Sequence, residues 1–143
     1  MAFGAILAAT FAGSVAWAST PCGACGPQAV EWLTWAESLV PPAGFGSGPR
    51  PESRYRFAAD VAAELVPEVT HRPGVVAPFL VGRSVEDRPI WGFRLRDPGA
   101  RVCGKMLVFA NIHALEWVPT EAATAFLHDF ATNPIPGVEL VVI

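Results

Sequence analysis

The 143-residue sequence predicts an α/β fold in which helices cover both faces of a mixed sheet. Two apolar runs, residues 105–112 and 138–143, are separated by a helical pattern, and a crossover of this length implies that the two strands are parallel. Two further strand-like segments, within residues 75–95, are joined by a short charged turn and predict an antiparallel hairpin. Parallel and antiparallel pairs together make the sheet mixed.

The length and composition allow one small domain. The net charge is −3 and the basic residues are scattered, which argues against nucleic-acid binding. Hydrophobic residues make up 52% of the chain, a high share for a domain of this size. The apolar N-terminus explains part of it, and core strands whose covering elements are missing from the sequence would explain the rest.

Residues 1–18 carry no charge and end in Ala16-Trp17-Ala18, a small-x-small pattern. An apolar stretch followed by such a pattern is typical of a secretory signal peptide, although the usual basic start is missing. We therefore expect export, and a secreted or periplasmic mature protein. A short buried helix, or a membrane anchor if cleavage fails, is the alternative. No later run reaches the ~18 residues of a membrane span, so we expect none after cleavage.

Residues 19–53 form a segment rich in Cys, Pro and Gly. Cys22 and Cys25 form a C-x-x-C, but no strand precedes them as in thioredoxin-like redox sites. A zinc ribbon needs a second pair, and only Cys103 remains. A disulfide between Cys22 and Cys25, or between Cys103 and one of them, is favoured, and the pairing stays open.

Two helices are predicted before the hairpin. Residues 28–39 form the first and residues 55–66 the second, which Pro67 should end; residues 40–51 are a linker rich in Pro and Gly. The apolar residues on their predicted buried faces are Val30, Trp32, Leu33, Phe57, Val61 and Leu65.

The hairpin consists of strands at residues 75–81 and 89–95, and Pro78 places the first at an edge of the sheet. Arg88 should order its tip beside Glu86 and Asp87. Asp97-Pro98-Gly99 has the composition of a closing turn.

The nearly all-apolar residues 105–112 predict a strand covered on both faces. A helix should begin near Val118, with Pro119 in its first turn and Glu121 favourable to its dipole, and Asn133-Pro134 should end it. Its predicted buried residues are Ala122, Ala123, Phe126, Leu127 and Phe130.

The turn between this strand and this helix holds His113 and Glu116, three residues apart. Zinc binds imidazole nitrogen and carboxylate oxygen, and a catalytic zinc uses three protein ligands and a water. Strand ends are also where the sites of α/β sheets gather. The spacing alone is a weak signal, and taken by itself it favours an ordinary polar turn over a metal site.

The flanking residues are more specific. Residues 112–117, IHALEW, closely resemble the I-H-A-R-E-W signature of the zinc metallocarboxypeptidases of the carboxypeptidase A type. Upstream, residues 81–95, VGRSVEDRPIWGFRL, are similar to that family's hairpin, I-G-x-S-x-E-G-R-P-I followed by an apolar strand. The order and spacing of the two motifs fit as well. Residues 54–143 thus resemble the N-terminal part of a carboxypeptidase-like catalytic domain.

The resemblance implies that His113 and Glu116 bind Zn²⁺ in an exopeptidase that acts on the C-terminus of a peptide or protein. It also implies a metal-activated water and a glutamate general base. The third zinc ligand, that glutamate and the arginine that holds the substrate carboxylate are expected beyond Ile143, so no catalytic residue can be named. Leu115 replaces the family's usual arginine, which leaves substrate preference open.

The other candidates in the chain have ordinary explanations. His128 lies about ten residues along the following helix, ~15 Å from the turn at ~1.5 Å per residue, too far for a ligand. His71 is expected in a loop before the first strand, without a motif around it. Trp117 should pack under the turn.

Two alternatives to the peptidase remain. One is a zinc acylase of the aspartoacylase or desuccinylase type, which uses the same H-x-x-E turn; Trp117 and the hairpin motif favour the peptidase. The other is a non-catalytic fragment or binding module, because two ligands bind a metal only weakly.

Overall fold

The computed structural model describes residues 26–40, 55–113 and 116–143. The predicted signal peptide, Cys22, Cys25, most of the predicted linker and Leu115 lie outside these residues. No helix in the described ranges is long and apolar enough to cross a membrane. In chain order the elements are α1 (Pro27–Ser38), α2 (Ala58–His71), β1 (Val76–Arg83), β2 (Pro89–Arg96), β3 (Gly104–Val108), α3 (Trp117–Thr132) and β4 (Val138–Val142).

The four strands form one mixed sheet in the order β1-β2-β4-β3. β1 and β2 pair antiparallel, as do β2 and β4, whereas β3 and β4 pair parallel. The predicted hairpin and the predicted parallel pair are therefore both confirmed. β1 lies at one edge of this sheet, where Pro78 can lack an N–H without breaking an interior ladder.

The core lies between the three helices and one face of the sheet. Val76 pairs with Leu95 and Leu95 with Leu140, which places these three fully buried side chains on the same face. All three helices contribute to one buried cluster with them. From α1, Trp32 packs edge to face against Phe93, with ring centroids 5.3 Å apart. The mixed sheet with packed helices agrees with the predicted fold class, and the described helices occupy one of its two faces.

The opposite face carries a layer of side chains from β1, β2 and β4. The ring of Phe79 covers Gly92 so closely that a Cβ there would lie 2.7 Å from the Phe79 ring. The Arg94 guanidinium lies 5.0 Å from the centroid of the same ring, a cation–π arrangement. Glu139, nearly buried, places a carboxylate oxygen 3.1 Å from Lys105 Nζ and 3.9 Å from Arg94 Nε.

Pro67 does not end the second helix, and this prediction is wrong. α2 continues to His71 because its last turn buries Val69 completely and Glu68 almost completely. Proline removes one main-chain hydrogen bond, the one to the carbonyl four residues earlier. That carbonyl belongs to Ala63, an exposed residue, so water can hydrogen-bond to it.

The buried faces of the other helices are partly as predicted. In α1, Trp32 is buried but Val30 is 56% exposed. In α3, Ala123, Leu127 and Phe130 are buried as predicted, whereas Ala122 is exposed and Phe126 is only partly buried. Thr124 and Ala131 take their places in the interface, so the buried stripe is rotated around the helix axis. The predicted start and end of α3 are confirmed.

The prediction that the apolar strand is covered on both faces is wrong for the described part of the chain. β3 ends at Val108, and its first four residues are exposed. Beyond it, Phe109 is 54% and Ile112 is 73% exposed. β3 is an edge strand of the four. In the sheet that the structure describes it pairs only with β4, so no described strand pairs with its other edge.

Candidate metal site at the end of β3

Main-chain hydrogen bonds carry the chain from β3 to the turn. Ile143 N–H donates to Val108 O and Ala110 N–H donates to Ile143 O, each at 2.9 Å. The chain therefore stays beside the end of β4 until Ala110. Asn111 then adopts a positive φ of 56°, which turns the backbone away from the sheet.

His113 and Glu116 face one another across the turn. His113 Nδ1 lies 3.0 Å from Glu116 Oε1, and Glu116 N–H donates to His113 O at 2.9 Å. Both side chains are largely exposed, at 76% and 54%. The structure thus brings together the two residues predicted to bind metal.

The donor set fits a zinc ion. Two ligands that are each ~2 Å from a tetrahedral zinc lie ~3.3 Å apart, close to the observed separation of nitrogen and oxygen. Exposure lets an ion enter and leaves room for further ligands. His113 Nδ1 and Glu116 Oε1 are the atoms that would hold the metal.

Asn111 supports this turn, and the sequence analysis missed it. With its amide nitrogen directed at the turn, the side chain donates to His113 O at 3.0 Å and to Glu116 O at 3.2 Å. This orientation follows from the hydrogen-bonding environment, since both acceptors are carbonyls. Asparagine tolerates positive φ better than other non-glycine residues. A lone Asn inside the apolar run KMLVFANI was the signal that could have identified it.

The helix after the turn is attached to α2. Arg56, just before α2, donates its backbone N–H to Glu121 Oε1 at 2.7 Å and forms an ion pair with the same carboxylate. Its Nε donates to Glu64 Oε2 at 2.8 Å. Trp117, the first residue of α3, packs edge to face against Tyr55 with centroids 5.5 Å apart, and it is 46% exposed. The packing predicted for Trp117 thus has a partner in Tyr55.

The remaining histidines do not join the turn. His128 Nδ1 lies 2.9 Å from Oε1 of the nearly buried Glu68, which also pairs with Arg72. His71, predicted to lie in a loop, is the exposed last residue of α2. Within the described ranges, no group of three or more His, Cys, Asp or Glu side chains could hold a metal ion.

Two other predicted positions are also accounted for. Arg88 pairs with Glu86 at the exposed hairpin tip, a structural role as predicted. Cys103 is an exposed free thiol in the part of the chain that the structure describes. The alternatives for its pairing with Cys22 or Cys25 stay predictions.

A cavity of about 430 Å³ lies behind the turn, between α1, α2 and β2. Asn111 and Trp117 form the part of its wall nearest the turn. Five of the other eleven lining residues are aromatic: Trp32, Trp35, Phe57, Trp91 and Phe93. We refer to this space as the aromatic cavity.

Comparisons with known proteins give a family and a fold. The family described as "Zinc carboxypeptidase" matches residues 64–139, which is more than half of the chain and includes both His113 and Glu116. No curated protein sequence matches the chain significantly.

Among solved structures, the chain is similar to the carboxypeptidase A from Helicoverpa armigera, with a TM-score of 0.56 and 19% identity. It is also similar to thrombin activatable fibrinolysis inhibitor, with a TM-score of 0.51 and 16% identity. Each match covers 80% of this chain but only 29% and 30% of those chains, respectively. At this identity the likeness establishes the fold, and the chain spans less than a third of each neighbour.

Proposed function

Because the chain belongs to the zinc carboxypeptidase family, we propose that it supplies two zinc ligands, His113 and Glu116, to a metallocarboxypeptidase that hydrolyses C-terminal peptide bonds. The observation that supports this most directly is the 3.0 Å approach of His113 Nδ1 to Glu116 Oε1 in an exposed turn. In the metal-free turn these two atoms are within hydrogen-bond distance of each other, and the same two atoms would serve as ligands of a shared ion.

The chain's own residues hold and orient the metal site. His113 and Glu116 offer one nitrogen and one oxygen ligand, and Asn111 holds the backbone carbonyls of both residues through its two hydrogen bonds. Supporting hydrogen bonds of this kind orient metal ligands and tune their basicity. The chemistry that a zinc supplies in such a site is activation of a water and polarisation of the scissile carbonyl.

The remaining parts of the reaction are proposed to come from outside this sequence. A third zinc ligand, a general-base glutamate and an arginine for the substrate carboxylate are needed, and a bidentate guanidinium suits that last role. We also propose, from the pattern of residues 1–18, that the protein is exported. Substrates would be peptide or protein C-termini.

Metal binding by the 143-residue chain tests the ligand pair directly. Co²⁺ is titrated and its visible absorption is followed, with Zn²⁺ competition to obtain affinity. We expect His113→Ala and Glu116→Gln each to weaken binding at least about tenfold, because two-ligand binding loses half of its donors. His71→Ala is the matched control, because His71 is an exposed histidine outside the turn. Equal effects of all three substitutions would contradict the assignment.

Catalysis is tested on the longest product that the gene encodes. An N-blocked dipeptide with a free C-terminus should release its C-terminal amino acid, and a chelator should abolish this release. A zinc acylase would instead remove the blocking acyl group, so the product identifies the reaction. For the 143-residue chain alone we expect no turnover, and robust hydrolysis by it would show that the site is complete without further residues.

A further inference from the structure

The aromatic cavity has the size and lining of a small-molecule site. Its volume of about 430 Å³ falls within the range typical of ligand pockets. Two ring pairs shape its wall: Trp32 with Phe93, and Trp35 with Trp91, whose centroids are 6.1 Å apart at an interplanar angle of 43°. Aromatic pairs of this kind present flat and edge surfaces to which another planar ring can pack.

The wall also holds a hydrogen-bond donor that lacks an acceptor. Trp91 Nε1 is buried and has no hydrogen-bond partner among the described residues. Leaving a buried N–H unpaired costs free energy, so an acceptor that reaches it is favoured. Trp91 is itself one of the residues that line the cavity, and engagement of this N–H by a ligand would require the ring to rotate about χ2, whose well is broad.

The charges at the cavity do not favour an anion. Arg56 lines the wall, but its Nε donates to Glu64 and its guanidinium pairs with Glu121. One cation therefore faces two carboxylates, and a negatively charged ligand would gain no unpaired partner here. A neutral ligand fits this balance better.

We propose that the aromatic cavity binds a small, neutral aromatic compound that carries one hydrogen-bond acceptor, which the Trp91 indole N–H engages. α1 and the first half of α2, which supply much of the wall, precede the residues that match the family. Asn111 belongs both to this wall and to the proposed metal turn, but binding to the cavity needs no metal and can be tested with chelator present.

The test uses ¹⁵N-labelled 143-residue chain and three probes of similar size: acetophenone, ethylbenzene and benzoate. The indole N–H signals of the tryptophans are followed by NMR, and Trp91→Phe assigns the signal of Trp91. We expect acetophenone to shift this signal saturably and ethylbenzene to bind about tenfold more weakly, because it cannot accept the hydrogen bond. Benzoate should bind most weakly, because its negative charge would lie near the carboxylates of Glu64 and Glu121.

Substitutions in α2 give a matched pair. Both alanines are exposed, but Ala58 lines the cavity and Ala63, on the same helix, does not. Ala58→Trp should abolish acetophenone binding and Ala63→Trp should leave it unchanged. Trp91→Phe should bind acetophenone and ethylbenzene equally. If Trp91→Phe fails to fold, the comparison of Ala58→Trp with Ala63→Trp still tests whether acetophenone binds in the cavity.

Three outcomes would overturn the proposal. The first is that no probe shifts the Trp91 signal saturably. The second is that acetophenone and ethylbenzene bind the unmodified chain equally well. In the third, acetophenone binds only when residues 41–54, which join α1 to Tyr55, are replaced by a Gly-Ser linker of equal length. That result would make those residues the natural occupant.

Discussion

β3 and β4 are parallel neighbours of equal length, yet their surroundings differ. In β4, Leu140 is fully buried and Val142 is 6% exposed, whereas in β3 Leu107 is 54% exposed. Met106 pairs directly with Leu140 and is still 37% exposed. β4 lies between β2 and β3, and helices cover one of its faces. Hydrophobic residues alone therefore predict a strand, but its position in the sheet decides whether those residues are covered.

The difference matters because the candidate metal site directly follows β3, the more exposed of the two strands. The turn after β3 is held by the hydrogen bonds of Asn111, and the helix that follows the turn is linked to Arg56, a residue distant in sequence. We therefore expect substitutions in β4 to affect the stability of the whole fold, and substitutions around β3 to affect the turn or the surface.

The largest expected effect separates two leucines in the paired strands. Leu140→Ala should lower the free energy of unfolding by about 3 kcal/mol, because it leaves a cavity in the core. Leu107→Ala should lower it by less than about 0.5 kcal/mol, as is usual for exposed positions. Urea denaturation measures both, and similar losses would show that β3 is covered as well as β4.

The next effect concerns the turn. Asn111→Ala should cost about 1–2 kcal/mol, because alanine is strained at positive φ and cannot donate to the two carbonyls. Asn111→Gly, which accepts this φ, should cost less. Asn133→Ala is the control, because Asn133 follows α3 at φ −129°. Urea denaturation gives the stabilities, and the cobalt titration should show weaker metal binding for both Asn111 variants, which lose the two hydrogen bonds, but not for Asn133→Ala. Unchanged binding would mean that Asn111 does not position the ligands.

A smaller effect is expected between the two strands. Lys105 of β3 and Glu139 of β4 lie 3.1 Å apart, but Lys105 is largely exposed, so water screens the pair. A double-mutant cycle with Lys105→Met and Glu139→Gln should give a coupling of about 0.5 kcal/mol, reduced further in 1 M salt. A coupling that is large and insensitive to salt would indicate that the face of the sheet opposite the helices is shielded from water.

The smallest change in stability should accompany the clearest change in solubility. Leu107→Lys should alter the free energy of unfolding by less than about 0.5 kcal/mol, yet raise the protein concentration at which light scattering begins. Val85→Lys is the control, because Val85 is a fully exposed residue at the hairpin tip. If both substitutions raise solubility equally, charge and not the β3 surface is responsible.

The parts of the fold that depend on local patterns were predicted well from the sequence. The hairpin, the start of α3 at the residues around Pro119 and the end of α3 before Pro134 follow from turn and helix-end residues that act on their neighbours. The juxtaposition of His113 and Glu116 was predictable for the same reason, since only two residues separate them in the sequence.

What the sequence could not predict depends on contacts between distant residues. Pro67 lies within α2 because Val69 and Glu68 are buried by other elements. The rotation of the α3 stripe from Ala122 to Thr124 reflects where α2 and the sheet lie. The aromatic cavity joins residues of α1, α2 and β2, and no single stretch of the chain contains its pattern.

The position of Arg56 matters for choosing where a shortened version of this protein should begin. It lies eight residues before the first residue that matches the family, so a version trimmed to the family boundary would lose it. Without Arg56, Glu121 loses both a main-chain and a side-chain partner. α3 then loses its link to the residue just before α2. We therefore expect the position of the turn that carries His113 and Glu116 to depend on a residue that lies outside the family match.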